Sequence, residues 1–107
     1  MSGLSTHVLD AALGRPAAGV AVTVITPDGT EHAGVTDADG RVAELLTGPL
    51  AAGIHRLRFD TGGYWTALGQ SGFYPEVVIA FTVTDGAEHH HVPLLLSPFG
   101  YSTYKGS

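Results

Sequence analysis

Apolar and polar positions alternate through most of this chain. Between Leu4 and Leu9, Leu4, Thr6 and Val8 point one way and Ser5, His7 and Leu9 the other. That is the two-residue period of a short strand. Val20 to Thr26 is rich in branched residues, and its valines at 20, 22 and 24 share a face, which suits a pleated, half-buried surface. Pro27-Asp28-Gly29-Thr30 predicts a turn, because proline presets φ and Asp-Gly suits a tight hairpin. Glu31 to Asp37 is then the return strand. Asp37-Ala-Asp-Gly-Arg41 is a second turn, and it delivers Arg41 directly after a glycine. Val42 to Leu46 predicts a short strand or bend before the Gly48-Pro49 break.

The alternation resumes from Gly53 to Asp60, with His55, Leu57 and Phe59 on one face and Arg56 and Arg58 on the other. Gly62-Gly63 is read as the end of that strand. Tyr64 to Gln70 is the one stretch that predicts a helix, of about two turns. Pro75 opens a strand from Glu76 to Thr84, Asp85-Gly86 turns the chain, and Glu88 to Leu96 pairs back. Pro98-Phe-Gly100 turns it again into Tyr101 to Lys105. Pro93 gives up a ladder donor, so it predicts an edge-like position or a bulge. About seven or eight short strands, roughly ten residues apart, predict an all-β sandwich with Greek-key or meander connections.

At 107 residues the expectation is one domain over 1–107. There are no cysteines, hence neither disulfides nor thiolate metal sites, as in a reducing compartment. A net charge of −5 with only 5 basic residues excludes a general nucleic-acid binder. The opening residues have neither a basic region nor an apolar run, so no signal peptide is expected. No apolar segment approaches the roughly 18 residues needed to span a membrane. A soluble, cytoplasmic protein is the expectation.

Candidate chemistry centres on histidine. Three of the 6 histidines are consecutive, at 89, 90 and 91. In a strand His89 and His91 share a face and His90 opposes them. One reading makes these surface histidines, with His7 a satisfied one. A second brings His7 and His91 into a shared cleft with Arg41, an imidazole serving as general base and a guanidinium clamping an oxygen. A third places zinc on His7, His89 and His91, although no carboxylate is evident behind them. Other motifs fail. No serine has a Gly-x-Ser-x-Gly context. Asp37-Ala-Asp-Gly lacks the remaining ligands of a calcium loop. Tyr64 and Trp65 read as packing residues.

Several segments, in order, resemble the transthyretin-related 5-hydroxyisourate hydrolases of purine breakdown. They are Leu4-Ser-Thr-His-Val-Leu-Asp10, Gly14-Arg-Pro-Ala17, Thr36-Asp-Ala-Asp-Gly-Arg41, Phe73-Tyr-Pro-Glu-Val77, His89-His-His-Val-Pro-Leu-Leu-Leu-Ser-Pro98 and Tyr101-Ser-Thr-Tyr-Lys-Gly-Ser107. The resemblance implies a transthyretin-like sandwich of two four-stranded antiparallel sheets with one short helix. It also implies a homotetramer, a dimer of dimers, with active sites at the dimer–dimer interface and no cofactor. The implied catalytic residues are His7, Arg41 and His91, and Tyr104, Lys105, Gly106 and Ser107 border the substrate, 5-hydroxyisourate. Two positions depart from the family pattern. His90 stands where tyrosine is usual, and Lys105 stands where arginine is usual; lysine cannot present a bidentate fork. The competing reading is a non-catalytic, transthyretin-like carrier of a small ligand, which would need an apolar channel.

Overall fold

A computed structural model of the protein describes residues 2–107; Met1 lies outside them. The strands are β1 (Gly3–Asp10), β2 (Arg15–Pro16), β3 (Ala21–Ile25), β4 (Glu31–Val35), β5 (Arg41–Leu46) and β6 (Gly53–Phe59). Helix α1 (Thr61–Ala67) comes next, then β7 (Val77–Val83), β8 (His89–Ser97) and β9 (Gly100–Thr103). One sheet has the order β4-β3-β6-β7. The other has the order β2-β1-β8-β9, with β5 also paired to β1. β8 takes one edge of β1 along its whole length. β5 and β2 therefore share the other edge, and this sheet is also four strands wide.

The two sheets bury their facing positions as the alternation requires. Leu4 and Val8 of β1, Val22 and Val24 of β3, Leu57 and Phe59 of β6, and Leu94 and Leu96 of β8 form the centre of the core. Each such side chain contributes about 1.5–3 kcal/mol by leaving water. Thr6 and Asp10 share the inward face of β1 and satisfy themselves there. Thr6 Oγ1 donates to the Val92 carbonyl at 2.6 Å. Asp10 accepts from the backbone N–H groups of Ala12 and Leu13 and, at 2.7 Å, from the Tyr64 hydroxyl. Burial, with the Asp10 carboxylate beside it, pushes Tyr64 up to about 12. That bond fastens α1 to β1.

The helix differs from the sequence expectation: it starts at Thr61, not Tyr64, and ends at Ala67, not Gln70. Gly62 and Gly63 do not end a strand; they form the first turn of α1. Asp60 caps it by accepting from the Gly63 N–H at 3.0 Å, and a Cβ at Gly62 would press on the backbone of Pro75. These glycines are there for close packing, which a propensity reading takes for chain breaking. Tyr64 and Trp65 are buried, as read.

Three further differences have local causes. The loop after Asp10 contains the two-residue β2, which closes back on Leu9 and Asp10. β1 and β8 run parallel, the one parallel pairing among the described strands, and seven elements lie between them in sequence order. Pro93 lies inside β8, a central strand, but its missing donor faces an interruption. On that side the β9 ladder stops at Leu94–Thr103, and the next bridge is His91–Gly106. The Thr103 hydroxyl, at 2.7 Å, bonds the Pro93 carbonyl in the gap. The regular strand β9 accordingly ends at Thr103 and not at Lys105. No described helix is long and apolar enough to cross a membrane.

Candidate active site

The outward face of β1 carries Ser5 and His7. Pairing with two neighbours brings the remaining groups to it. His7 lies opposite Arg41 in the β1–β5 register, and Ser5 lies opposite His91 in the β1–β8 register. His89, two residues before His91, shares that face, whereas His90 turns inward and is buried. The cleft so formed has a volume of about 240 Å³, with Ser5, Arg41, His89, His91 and Ser107 among its walls.

Arg41 owes its position to the turn before it. The Asp37 carboxylate accepts from the backbone N–H groups of Asp39 and Arg41 at 2.9 and 3.0 Å. One oxygen of this carboxylate thus closes its own turn. Gly40 has φ +76°, and a Cβ there would run into the Val8 carbonyl oxygen. Only glycine lets the turn lie this close to β1, where the Val8 N–H donates to the Gly40 carbonyl at 2.7 Å. The same turn holds His7: its Nε2 donates to the Asp39 carbonyl at 2.9 Å.

His91 Nδ1 and His89 Nε2 each lie 2.8 Å from Ser5 Oγ. Burial lowers His91 from the ordinary histidine value, and the charges of Arg41, His7 and His89 lower it further. It therefore remains a neutral base further into acid than a free imidazole. The last residues pack against it. The Gly106 N–H donates to the His91 carbonyl at 2.8 Å, and a Cβ at Gly106 would sit 2.5 Å from His91 Cδ2. A glycine is what brings Ser107 to the cleft wall.

His7, Arg41, His91, Gly106 and Ser107 thus come together. Tyr104 and Lys105 border a second cavity of about 280 Å³ with Phe81, Glu88 and His90, and His91 lines both cavities. Lys105 Nζ is 3.3 Å from a Glu88 carboxylate oxygen, and the same oxygen is 3.5 Å from His90 Nε2. Sequence reasoning missed Ser5 as a site residue, although its place on the His7 face was the available signal. Among the described residues, no group of three His, Asp or Glu side chains is arranged to hold a metal ion.

A small β-sandwich with a histidine–arginine cleft on the outer face of one sheet is a transthyretin-like domain with a polar site. The chain belongs to the HIUase/Transthyretin family, whose model matches residues 4–106. It is 48% identical over 115 residues to a 5-hydroxyisourate hydrolase of Caulobacter vibrioides, covering 100% of both chains. The solved 5-hydroxyisourate hydrolase of Klebsiella pneumoniae superposes with a TM-score of 0.90 at 39% identity, over 99% of this chain and 100% of that one. Sea bream transthyretin in complex with thyroxine superposes with a TM-score of 0.84, also at 39% identity, over 96% of this chain and 93% of that one. The fold is common to both kinds of relative, so the chemistry of the cleft has to separate them.

Proposed function

We propose that this protein hydrolyses 5-hydroxyisourate to 2-oxo-4-hydroxy-4-carboxy-5-ureidoimidazoline in urate breakdown, by histidine-assisted attack of water on a cyclic amide. The observation that carries this reading is the cleft itself. It presents the three imidazoles of His7, His89 and His91 and the Arg41 guanidinium on one face, where a carrier of an aromatic hormone needs apolar walls. The full-length likeness to a protein named for this hydrolysis supports it.

In the reaction, one of His7 and His91 takes a proton from water as its oxygen bonds to the lactam carbonyl carbon. Arg41 faces the negative charge that develops on the carbonyl oxygen. The carbon–nitrogen bond of the ring then breaks, and the departing nitrogen receives the proton. Gly106 and Ser107 close one wall. Tyr104 and Lys105 belong to the substrate-binding border through the same terminal segment. No cofactor is required.

The chain acts as one transthyretin-like domain over 1–107 and as a cytoplasmic homotetramer, a dimer of dimers. Support for assembly comes from the exposed aromatic rings of Phe73, Phe99, Tyr101 and Tyr104 and from the unpaired edges of β7 and β9. Apolar rings and open strand edges are features that chains cover by association. Sedimentation of the purified protein tests the tetramer, and a monomer at micromolar concentration contradicts it. The reaction is tested by generating 5-hydroxyisourate in place from urate and following its ultraviolet decay with and without the protein. A decay rate unchanged by the protein refutes the reading.

A further inference from the structure

Like His89, Ser5 is a polar side chain of the cleft that this hydrolytic scheme leaves unused. It is buried, and its Oγ lies between His89 Nε2 and His91 Nδ1, 2.8 Å from each. A hydroxyl has one proton, so it donates to one imidazole and accepts from the other. The direction is decided one bond further out. His89 Nδ1 lies 3.2 Å from the Ser2 carbonyl oxygen, which can only accept, so that nitrogen carries the proton. Neutral His89 then has a bare Nε2 and accepts the Ser5 hydroxyl proton. With its proton committed, Ser5 Oγ accepts from His91, and His91 must carry its proton on Nδ1. His91 Nε2 is left with a free lone pair. No described group bonds to it, and it is not a buried unpartnered atom.

We propose that Ser5 and His89 are positioning residues: the relay from the Ser2 carbonyl through His89 and Ser5 fixes His91 in its Nδ1–H tautomer. This presents Nε2 as the atom that takes the proton from water. Free histidine prefers the opposite tautomer, in which Nε2 holds the proton and cannot act as a base. His7 has the reverse arrangement, because the Asp39 carbonyl takes its Nε2–H. The catalytic consequence rests on the hydrolase reading of the cleft; the tautomer rests on the hydrogen bonds alone.

Long-range 1H–15N correlation spectra of the 15N-histidine-labelled protein, at about pH 8 where imidazoles are neutral, read the tautomer directly. The expected result is His91 with a protonated Nδ1 and a bare Nε2. In Ser5→Ala the His91 signals move toward the Nε2–H form. They move the same way in His89→Ala, although Ser5 is intact, because its freed proton now goes to His91 Nδ1. A merely structural role for His89 does not invert a neighbour's tautomer. With 5-hydroxyisourate as substrate, both variants lower kcat by about three- to tenfold as the base-competent fraction falls, with KM within about twofold. Ser5→Thr, which keeps the hydroxyl, restores kcat. Finding Nε2–H on His91 in the unaltered protein, or the same tautomer in all three proteins, overturns the proposal. If the tautomers behave as expected but the unaltered protein does not speed 5-hydroxyisourate decay, the hydrolase reading fails and the relay stands.

Discussion

At the scale of single residues, the cleft rests on a few polar side chains of one sheet face. On the proposed mechanism, His7→Ala, Arg41→Ala and His91→Ala are each expected to lower turnover by roughly 10²–10⁴-fold. The fold should remain intact by circular dichroism. The pH dependence has a definite sign. Burial and neighbouring charges lower His91 below the ordinary value of 6.5. If it is the base, the acid limb of kcat/KM lies below 6.5, and a limb at or above 7 argues for another group. A different residue tests the core. Removing the Tyr64 hydroxyl in Tyr64→Phe leaves the fully buried Asp10 carboxylate without one of its three donors. The expected loss is about 2 kcal/mol, the range for hydrogen bonds to charged groups, read by urea denaturation. His7, Arg41 and His91 were legible in sequence because their residue types announce acid–base and oxyanion chemistry. Ser5 was not, because a serine in a strand is ordinary until its two imidazole neighbours are seen.

At the scale of elements, two glycines shape the site. Gly40→Ala forces a Cβ toward the Val8 carbonyl from a backbone of positive φ. It displaces the turn that holds both Arg41 and the Asp39 carbonyl on His7. A stability loss of about 1–3 kcal/mol and a sharp fall in turnover are expected. Gly106→Ala pushes against the His91 ring in a segment that carries little of the core. It should depress kcat while leaving the unfolding midpoint nearly unchanged, and a parallel loss of both would contradict this placement. The strands themselves were legible, because period-two alternation is a direct image of a sheet with one buried face. β3 and β6 fell where their valines, leucine and phenylalanine put them. The helix was misplaced because Gly62 and Gly63 were read by propensity, whereas Asp60 and Pro75 decide their conformation. The parallel pairing of β1 with β8 was not legible at all: it joins segments more than 80 residues apart, as Ser5 and His91 show with a separation of 86. Alternation fixes the face a residue takes and says nothing about which strand lies beside it.

At the scale of the whole molecule, acid should loosen the fold in a way that a second histidine reports. His55 is almost fully buried, with an unpartnered Nδ1 and a stacked contact to Phe81 at 5.5 Å between ring centroids. Burial lowers it below 6.5, and His90 lowers it further. A lowered folded-state value means that the unfolded chain takes up the proton first. Stability is therefore whole above 6.5 and declines as the pH falls from there toward the folded-state value, by ~1.4 kcal/mol for each unit of separation. As the pH falls below ~6.5 the unfolding midpoint should drop, and His55→Phe, which keeps the aromatic stack, should flatten that drop. An equally steep drop in the variant would place its origin elsewhere. The molecule as a whole combines a fold shared with transthyretin and a cleft lined by imidazoles and a guanidinium. The most direct measurement is the ultraviolet decay of 5-hydroxyisourate, generated in place from urate, with the unaltered protein and with His91→Ala at equal concentration. Hydrolysis at this cleft predicts rapid, protein-dependent decay that the substitution reduces at least about a hundredfold. Equal decay in the two samples, or decay no faster than in buffer, would contradict it.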